Sequence, residues 1–153
     1  MIMTDNDGSL QEVERIAKAG VAVFVIDKHG YILMGERIHP LGEQYGDGKM
    51  SLPGGKITHL ETWTETCRRE VKEETGLLID EPIFLEAMDT RYPDLDLHYI
   101  VCFFMANKVG GKLQIMEPEK CRYWSWFEIS DSPDNTFLDI QGVISRNFDK
   151  LKS

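Results

Sequence analysis

The residues of this chain that can do chemistry are concentrated between positions 55 and 77, GKITHLETWTETCRREVKEETGL. Gly55 is followed by Glu61, then by Arg69-Glu70-Val71, Glu73-Glu74 and Gly76-Leu77. Four carboxylates, those of Glu61, Glu70, Glu73 and Glu74, fall within fourteen residues, the last three within about one helical turn. Like charges at that density repel one another unless a cation sits among them. A divalent ion is the economical choice, and hard carboxylate oxygens favour Mg²⁺ or Mn²⁺ over softer metals. The chemistry expected of such a site is metal-dependent hydrolysis of phosphates.

A helix rich in Glu, Lys and Arg is more often a solvated face than a site, so its phase matters. At about 100° per residue, Trp63, Cys67 and Val71 form an apolar stripe. Glu74 falls inside that stripe and Glu70 at its edge, whereas Glu65, Arg68 and Lys72 occupy the opposite arc, as a wet face requires. Partly buried carboxylates cost several kcal/mol unless paired or metal-bound. Arg69 lies four residues before Glu73 and can pair it, which leaves Glu70 and Glu74 without a cation from this helix.

The elements that must position these acids are legible from patterning. Residues 19–27 are apolar and β-branched, Lys28-His29-Gly30 signals a turn and 31–37 resumes as a strand, so a hairpin is expected. Residues 38–49 read as a loop, 50–52 as a short extended piece and Pro53-Gly54-Gly55 as a turn. A helix is expected from Thr62 to about Thr75, with Gly76 as its C-cap. Strands follow at 83–90 and 97–107, a turn at Gly110-Gly111 and an aromatic strand at 122–127; Trp124 and Trp126 alternate, so they share a face. A closing helix is expected over 135–150, with Phe137, Ile140, Val143, Ile144 and Phe148 at helical spacing. Strands around one central helix, with another at the end, make the class α/β with a mixed sheet between helices.

At 153 residues the chain is expected to be one domain, 1–153, with 1–18 as an N-terminal extension. The net charge of −9 argues against a binder of polymeric nucleic acid or of an acidic membrane, since both need basic patches. A small polyanion would need local cations instead. The apolar runs are too short to span a membrane, and no secretory signal is visible. Three scattered cysteines, Cys67, Cys102 and Cys121, read as reduced thiols, so a cytoplasmic location is expected.

The spacing from Gly55 through Glu61 and Arg69-Glu70-Val71 to Glu73-Glu74 and Gly76-Leu77 matches every fixed position of the Nudix box. The chain resembles a MutT-type Nudix hydrolase over nearly its whole length. That resemblance implies an α/β/α sandwich and a Mg²⁺- or Mn²⁺-dependent nucleotide pyrophosphatase. Glu61-Thr62-Trp63, Cys67, His98-Tyr99, Glu117-Pro118-Glu119-Lys120-Cys121 and Trp124-Ser125-Trp126 are similar to one subgroup. Its members are nucleotide triphosphate diphosphatases that act on dGTP-like and modified guanine nucleotides. Two departures stand out. Thr58 and Leu60 occupy places where many members carry Glu and Gly, and the subgroup's base-contacting Trp in the last helix is absent, with Ile140 or Gln141 there instead.

The resemblance implies roles by position. Glu70 and Glu74 are metal ligands; Glu73 is a further ligand or the base that takes the proton from water, and Arg69 holds Glu73. Glu61 is either a ligand or a helix-capping carboxylate, and Glu117 or Glu119 could supply a ligand from a loop. Gly54 and Gly55 let the backbone pass close to phosphates, Arg37 holds the polyphosphate and Leu52 lines the nucleotide pocket. The expected reaction is hydrolysis of a nucleoside triphosphate to monophosphate and pyrophosphate. A nucleotide-sugar or ADP-ribose hydrolase, and a nucleotide-sensing module without turnover, are the alternatives. The expected partner is a small nucleotide, and pairing into a homodimer is a further expectation from related folds.

Overall fold

The computed structural model describes residues 15–153 and, before them, only the backbone of two short antiparallel strands, β1 (Ile2–Thr4) and β2 (Leu10–Glu12). The extension expected over 1–18 therefore lies mostly outside the described residues. Next come β3 (Lys18–Val25), β4 (Ile32–Arg37), β5 (Met50–Ser51), β6 (Gly54–Lys56), helix α1 (Trp63–Thr75) and β7 (Leu77–Ile79). They are followed by β8 (Ile83–Tyr92), β9 (Leu97–Ala106), β10 (Val109–Gly111), β11 (Cys121–Phe127), α2 (Ile140–Arg146) and α3 (Phe148–Lys152).

β3 organises the molecule. It lies inside a four-stranded sheet of order β6-β3-β9-β8, parallel to β9 and antiparallel to β6, so the sheet is mixed. Side chains alternate along a strand, and here both sets are buried. Val21, Val23 and Val25 cluster with Cys67 and Val71 of α1. Ala22, Phe24 and Ile26 cluster with Ile140, Val143 and Ile144 of α2 and Leu151 of α3. Phe103 and Phe104 divide between the same two clusters. A strand covered on both faces has no polar alternation, which is why 19–27 reads as one apolar run. Helices on both faces of mixed sheet give the expected α/β/α sandwich.

The hairpin expected at 19–37 forms only at its turn. Asp27 accepts from the backbone N–H of His29 and of Tyr31, each at 2.9 Å, and Gly30 takes a left-handed φ of 82°. A single bridge then joins Ile26 to Ile32. Beyond it β4 leaves for a second sheet of order β11-β4-β5, where Trp124 lies opposite Gly35 and Trp126 opposite Leu33. Both indoles pack on the α1 side of the core, so their shared face is a packing face. Two expected turns are strands. Gly54 and Gly55 belong to β6, and Gly110-Gly111 belongs to β10, which pairs with β7.

The closing helix starts later than expected and is broken. Residues 135–137 are tied alongside β5, with Met50 N–H donating to the Asn135 carbonyl and Phe137 N–H to the Met50 carbonyl. Phe137 is thus outside the helix, and Asp139 caps α2 by accepting from Gly142 N–H at 3.1 Å. The break falls at buried Asn147, whose side-chain amide donates to the Val143 carbonyl at 2.9 Å and to Glu86 Oε1 at 2.7 Å. No helix among the described residues is long and apolar enough to cross a membrane.

Helix α1 keeps its expected ends. Thr62 is the N-cap, its hydroxyl accepting from Glu65 N–H at 3.2 Å, and Gly76 closes the helix at φ 76°. Just before the cap, Leu60 takes a φ of 65° while its side chain is 89% exposed. A branched L-residue in that region carries strain that glycine avoids. With no core contact to lose, Leu60→Gly should raise stability by about 1 kcal/mol. A urea midpoint unchanged or lower than wild type would refute the strain.

Candidate active site

Two close backbone approaches set the position of α1 against the sheet. Gly54 pairs with Ala22 and Gly55 with Val21. A Cβ on Gly54 would collide with the Val21 carbonyl oxygen, and one on Gly55 would collide with the carboxylate of Glu70. The missing side chain at Gly55 is therefore the seat of Glu70. The apolar stripe of α1 holds this register through Cys67 and Val71, both fully buried. Trp63, expected in that stripe, is 47% exposed and stacks at 5.3 Å on Phe84 of the edge strand β8. Glu65, Arg68 and Lys72 face solvent as expected.

Arg69 is the cation among the acids. Its Nε and Nη2 donate to the two oxygens of Glu61 at 2.7 and 2.9 Å, and its Nη1 donates to Glu70 Oε1 at 2.9 Å and Glu73 Oε2 at 3.1 Å. Nη2 also reaches the Lys56 carbonyl at 3.1 Å, which fastens the cluster to β6. The expectation that both Glu70 and Glu74 lack a helix cation thus holds for Glu74 alone. Glu61 does not cap the helix. It accepts from Thr66 Oγ1 at 2.7 Å and from Thr58, and the Arg69 fork holds its carboxyl well below the usual carboxylate range. Glu73 is half exposed, on the solvent side of Arg69.

Glu74 has no such relief. It accepts from Gly54 N–H at 3.3 Å and makes no ion pair among the described residues. Burial, reinforced by the neighbouring charge of Glu70, pushes its carboxyl up to about 9. Burial also raises Glu70, against the pull of Arg69. Trp124 Nε1 donates to the Glu74 carbonyl at 3.2 Å and fixes the last turn of the helix.

A divalent ion can be weighed against these residues. Among the described residues, no three metal-binding side chains are gathered tightly enough to hold one as they stand, since Arg69 occupies the space among Glu61, Glu70 and Glu73. The donor set nevertheless fits. It consists of hard carboxylate oxygens, one of them raised for want of a positive partner, beside a glycine backbone that leaves room.

Beside Glu74 lies a small cavity of about 90 Å³ lined by Arg37, Leu52, Glu117, Lys120 and Trp124 among others. Glu117 pairs with Lys120 at 3.3 Å, whereas Glu119 is exposed and lines neither cavity. The small cavity shares Arg37, Ser51, Leu52 and Gly54 with a cleft of about 290 Å³ whose walls include Tyr45, Tyr92, Tyr99 and Phe137. Arg37, Leu52, Gly54 and Gly55 are thus brought together, with Arg37 at the junction. Its guanidinium lies 4.2 Å from the Phe137 ring centroid and donates from Nη2 to the Tyr45 carbonyl at 3.1 Å. Phe137 in turn stacks on Tyr92 with ring planes 5° apart. The aromatic walls were missed in the sequence because they come from four separate segments. Only the alternation of Tyr92 with Thr90, and of Tyr99 with Leu97, could have pointed to them.

A family model described as NUDIX domain matches residues 17–147. The chain is 32% identical over 97 residues to an 8-oxo-dGTP diphosphatase of Proteus vulgaris, covering 63% of this chain and 82% of that protein. It is 31% identical over 90 residues to an ADP-ribose pyrophosphatase of Methanocaldococcus jannaschii, covering 59% of this chain and 52% of the relative, about half its length. Among solved structures, a MutT NUDIX hydrolase from Burkholderia pseudomallei superposes with a TM-score of 0.77 at 23% identity, covering 86% of this chain and 98% of that one.

The state of Glu74 has a measurable signature in metal-free protein. Its ordinary value is 4.5 and its folded value about 9, so between them the folded chain keeps a proton that the unfolded chain has lost. Stability should therefore fall as pH rises through that window. Glu74→Gln should flatten the fall and leave the variant more stable than wild type at the alkaline end. Urea midpoints across the window, in EDTA, check this; parallel curves for the two proteins would contradict it.

Proposed function

The chain belongs to the NUDIX domain family and is a hydrolase of phosphoanhydride bonds; from that premise we propose that it converts nucleoside triphosphates, dNTPs and modified guanine nucleotides among them, to monophosphate and pyrophosphate. The observation that carries this reading is the half-buried Glu74, without an ion pair among the described residues, in a small cavity that adjoins the aromatic cleft through Arg37, Ser51, Leu52 and Gly54. Acids that would hold a cation, with Arg37 and Lys120, at one end and flat apolar walls at the other suit a molecule that is polyphosphate at one end and a base at the other. The similarity to the Proteus vulgaris diphosphatase supports the same substrate class.

Nudix hydrolases generally use divalent metals. In this chain Glu70 and Glu74, with Glu73, would hold the ion, Mg²⁺ or Mn²⁺, which supplies charge neutralisation on the phosphates and acidifies water. Glu73, the most exposed of the three, accepts the proton of the attacking water at a carboxylate oxygen. Arg69 is a positioning residue that orients Glu73 and Glu70 together. Arg37 faces the phosphates from the junction of the two cavities, Leu52 lines the nucleotide side, and the bare backbone of Gly54 and Gly55 lets phosphate approach. Phosphoryl transfer depends on this positioning and charge balance more than on covalent chemistry.

The Methanocaldococcus jannaschii relative gives a second reading, hydrolysis of ADP-ribose or a nucleotide sugar. Products separate the two. Nucleoside triphosphates incubated with Mg²⁺ or Mn²⁺ should release pyrophosphate, and EDTA should abolish the release. A sugar phosphate from ADP-ribose, with no pyrophosphate from any triphosphate, would replace the first reading by the second. Binding without turnover of either would make the chain a sensing module. Glu70→Gln should lower kcat by about 100-fold or more; near wild-type turnover would remove the acid cluster from the mechanism.

A further inference from the structure

Two buried side-chain polar atoms among the described residues have no hydrogen-bond partner, Arg37 Nε and Thr90 Oγ1, and both residues line the same cleft. Buried polar atoms are nearly always paired, so each orphan needs a reason. Arg37 already has one, since it faces the phosphates. Thr90 has none. It sits on β8 directly opposite Tyr99 of β9, lines the large cleft, and takes no part in the small cavity that holds Glu74. Thr90 therefore belongs to the part of the cleft outside the small cavity.

That part is short of other means to read a base. Among the described residues no Asp, Glu or Asn lines the large cleft, Gln44 and Lys56 are exposed, Ser51 belongs also to the small cavity, and His39 is stacked on Tyr45 with its Nδ1 already accepting from Leu41 N–H. The tyrosine and phenylalanine walls offer stacking, which accepts any base. We infer that Thr90 is a specificity-determining residue whose hydroxyl hydrogen-bonds the edge of the nucleobase held between these walls. A threonine in a strand has few side-chain rotamers, and one step about Cα–Cβ turns the shielded oxygen into the cleft as the base arrives. A hydroxyl can donate or accept, so this contact grades the bases rather than admitting one alone. The proposal rests on the nucleotide reading above and adds to it how the base is told apart.

The test uses binding, so that it does not depend on turnover. Wild type, Thr90→Val and Thr90→Ser would be titrated calorimetrically with dGMP, dAMP, dCMP and dTMP, and with ribose 5-phosphate as a probe that has no base. Valine keeps the shape and removes the orphan, so the free Thr90→Val protein should melt no lower than wild type. It should bind the preferred monophosphate about 10-fold more weakly, with the spread among the four narrowed and ribose 5-phosphate unaffected. Thr90→Ser should recover most of the loss. In turnover the change should appear in KM with kcat nearly kept. Unchanged affinities in Thr90→Val, or equal loss for ribose 5-phosphate, would overturn the role of Thr90 and leave the nucleotide reading standing. Wild type that binds none of the four would overturn both.

Discussion

One guanidinium governs the site. Arg69 distributes four side-chain donor contacts over Glu61, Glu70 and Glu73, and a fifth contact to the Lys56 carbonyl ties the group to the sheet. An arginine is suited to this because its fork is planar, permanently charged and able to grip a carboxylate with two nitrogens at once. Its reach ends there. Glu74, one turn further along the same face as Glu70, is left with a single backbone donor among the described residues. The contrast between a matched trio and an unmatched fourth acid gives the site its direction, with the unpaired acid in the small cavity beside the cleft.

Such an arrangement needs a rigid frame, and β3 provides it. Because both faces of that strand are buried, a slip of one residue would exchange the α1 core for the α2 and α3 core. The register that brings Gly54 and Gly55 against Ala22 and Val21 is thereby locked, and with it the distance between sheet backbone and Glu70. On the other side of the cleft, β8 is tied to the C-terminal helices through Glu86, which accepts from both Arg146 and Asn147. The walls that hold Thr90 and Tyr92 are therefore anchored to the molecule's second core.

Local signals were legible in the sequence and assembled ones were not. Helix α1 was readable to within a residue because Thr62 and Gly76 are caps with their own chemistry and the Nudix box spans it. The α/β class followed from the order of elements, and Glu74 and Glu70 were singled out by helical phase. What escaped was set by tertiary pairing. Lys28-His29-Gly30 signalled a turn, but whether strands on either side of a turn stay paired depends on which sheet each enters. Phe137 kept helical spacing with Ile140 and Val143, yet its backbone was claimed by Met50. Glu61 reads as a ligand or a cap because it lies just ahead of the helix, and its pairing with Arg69, eight residues on, is a contact that helical spacing does not show.

The bond from the Trp124 indole to the Glu74 carbonyl places a natural fluorophore on the wall of the small acidic cavity. Any change of charge in that space alters the field across the indole and the last turn of the helix to which it is attached. Trp126 packs on the same face and Trp63 lies at the far end of α1, so the three emitters have distinct surroundings. The protein thus carries an optical gauge of its own centre, able to register a change of charge there without label or turnover.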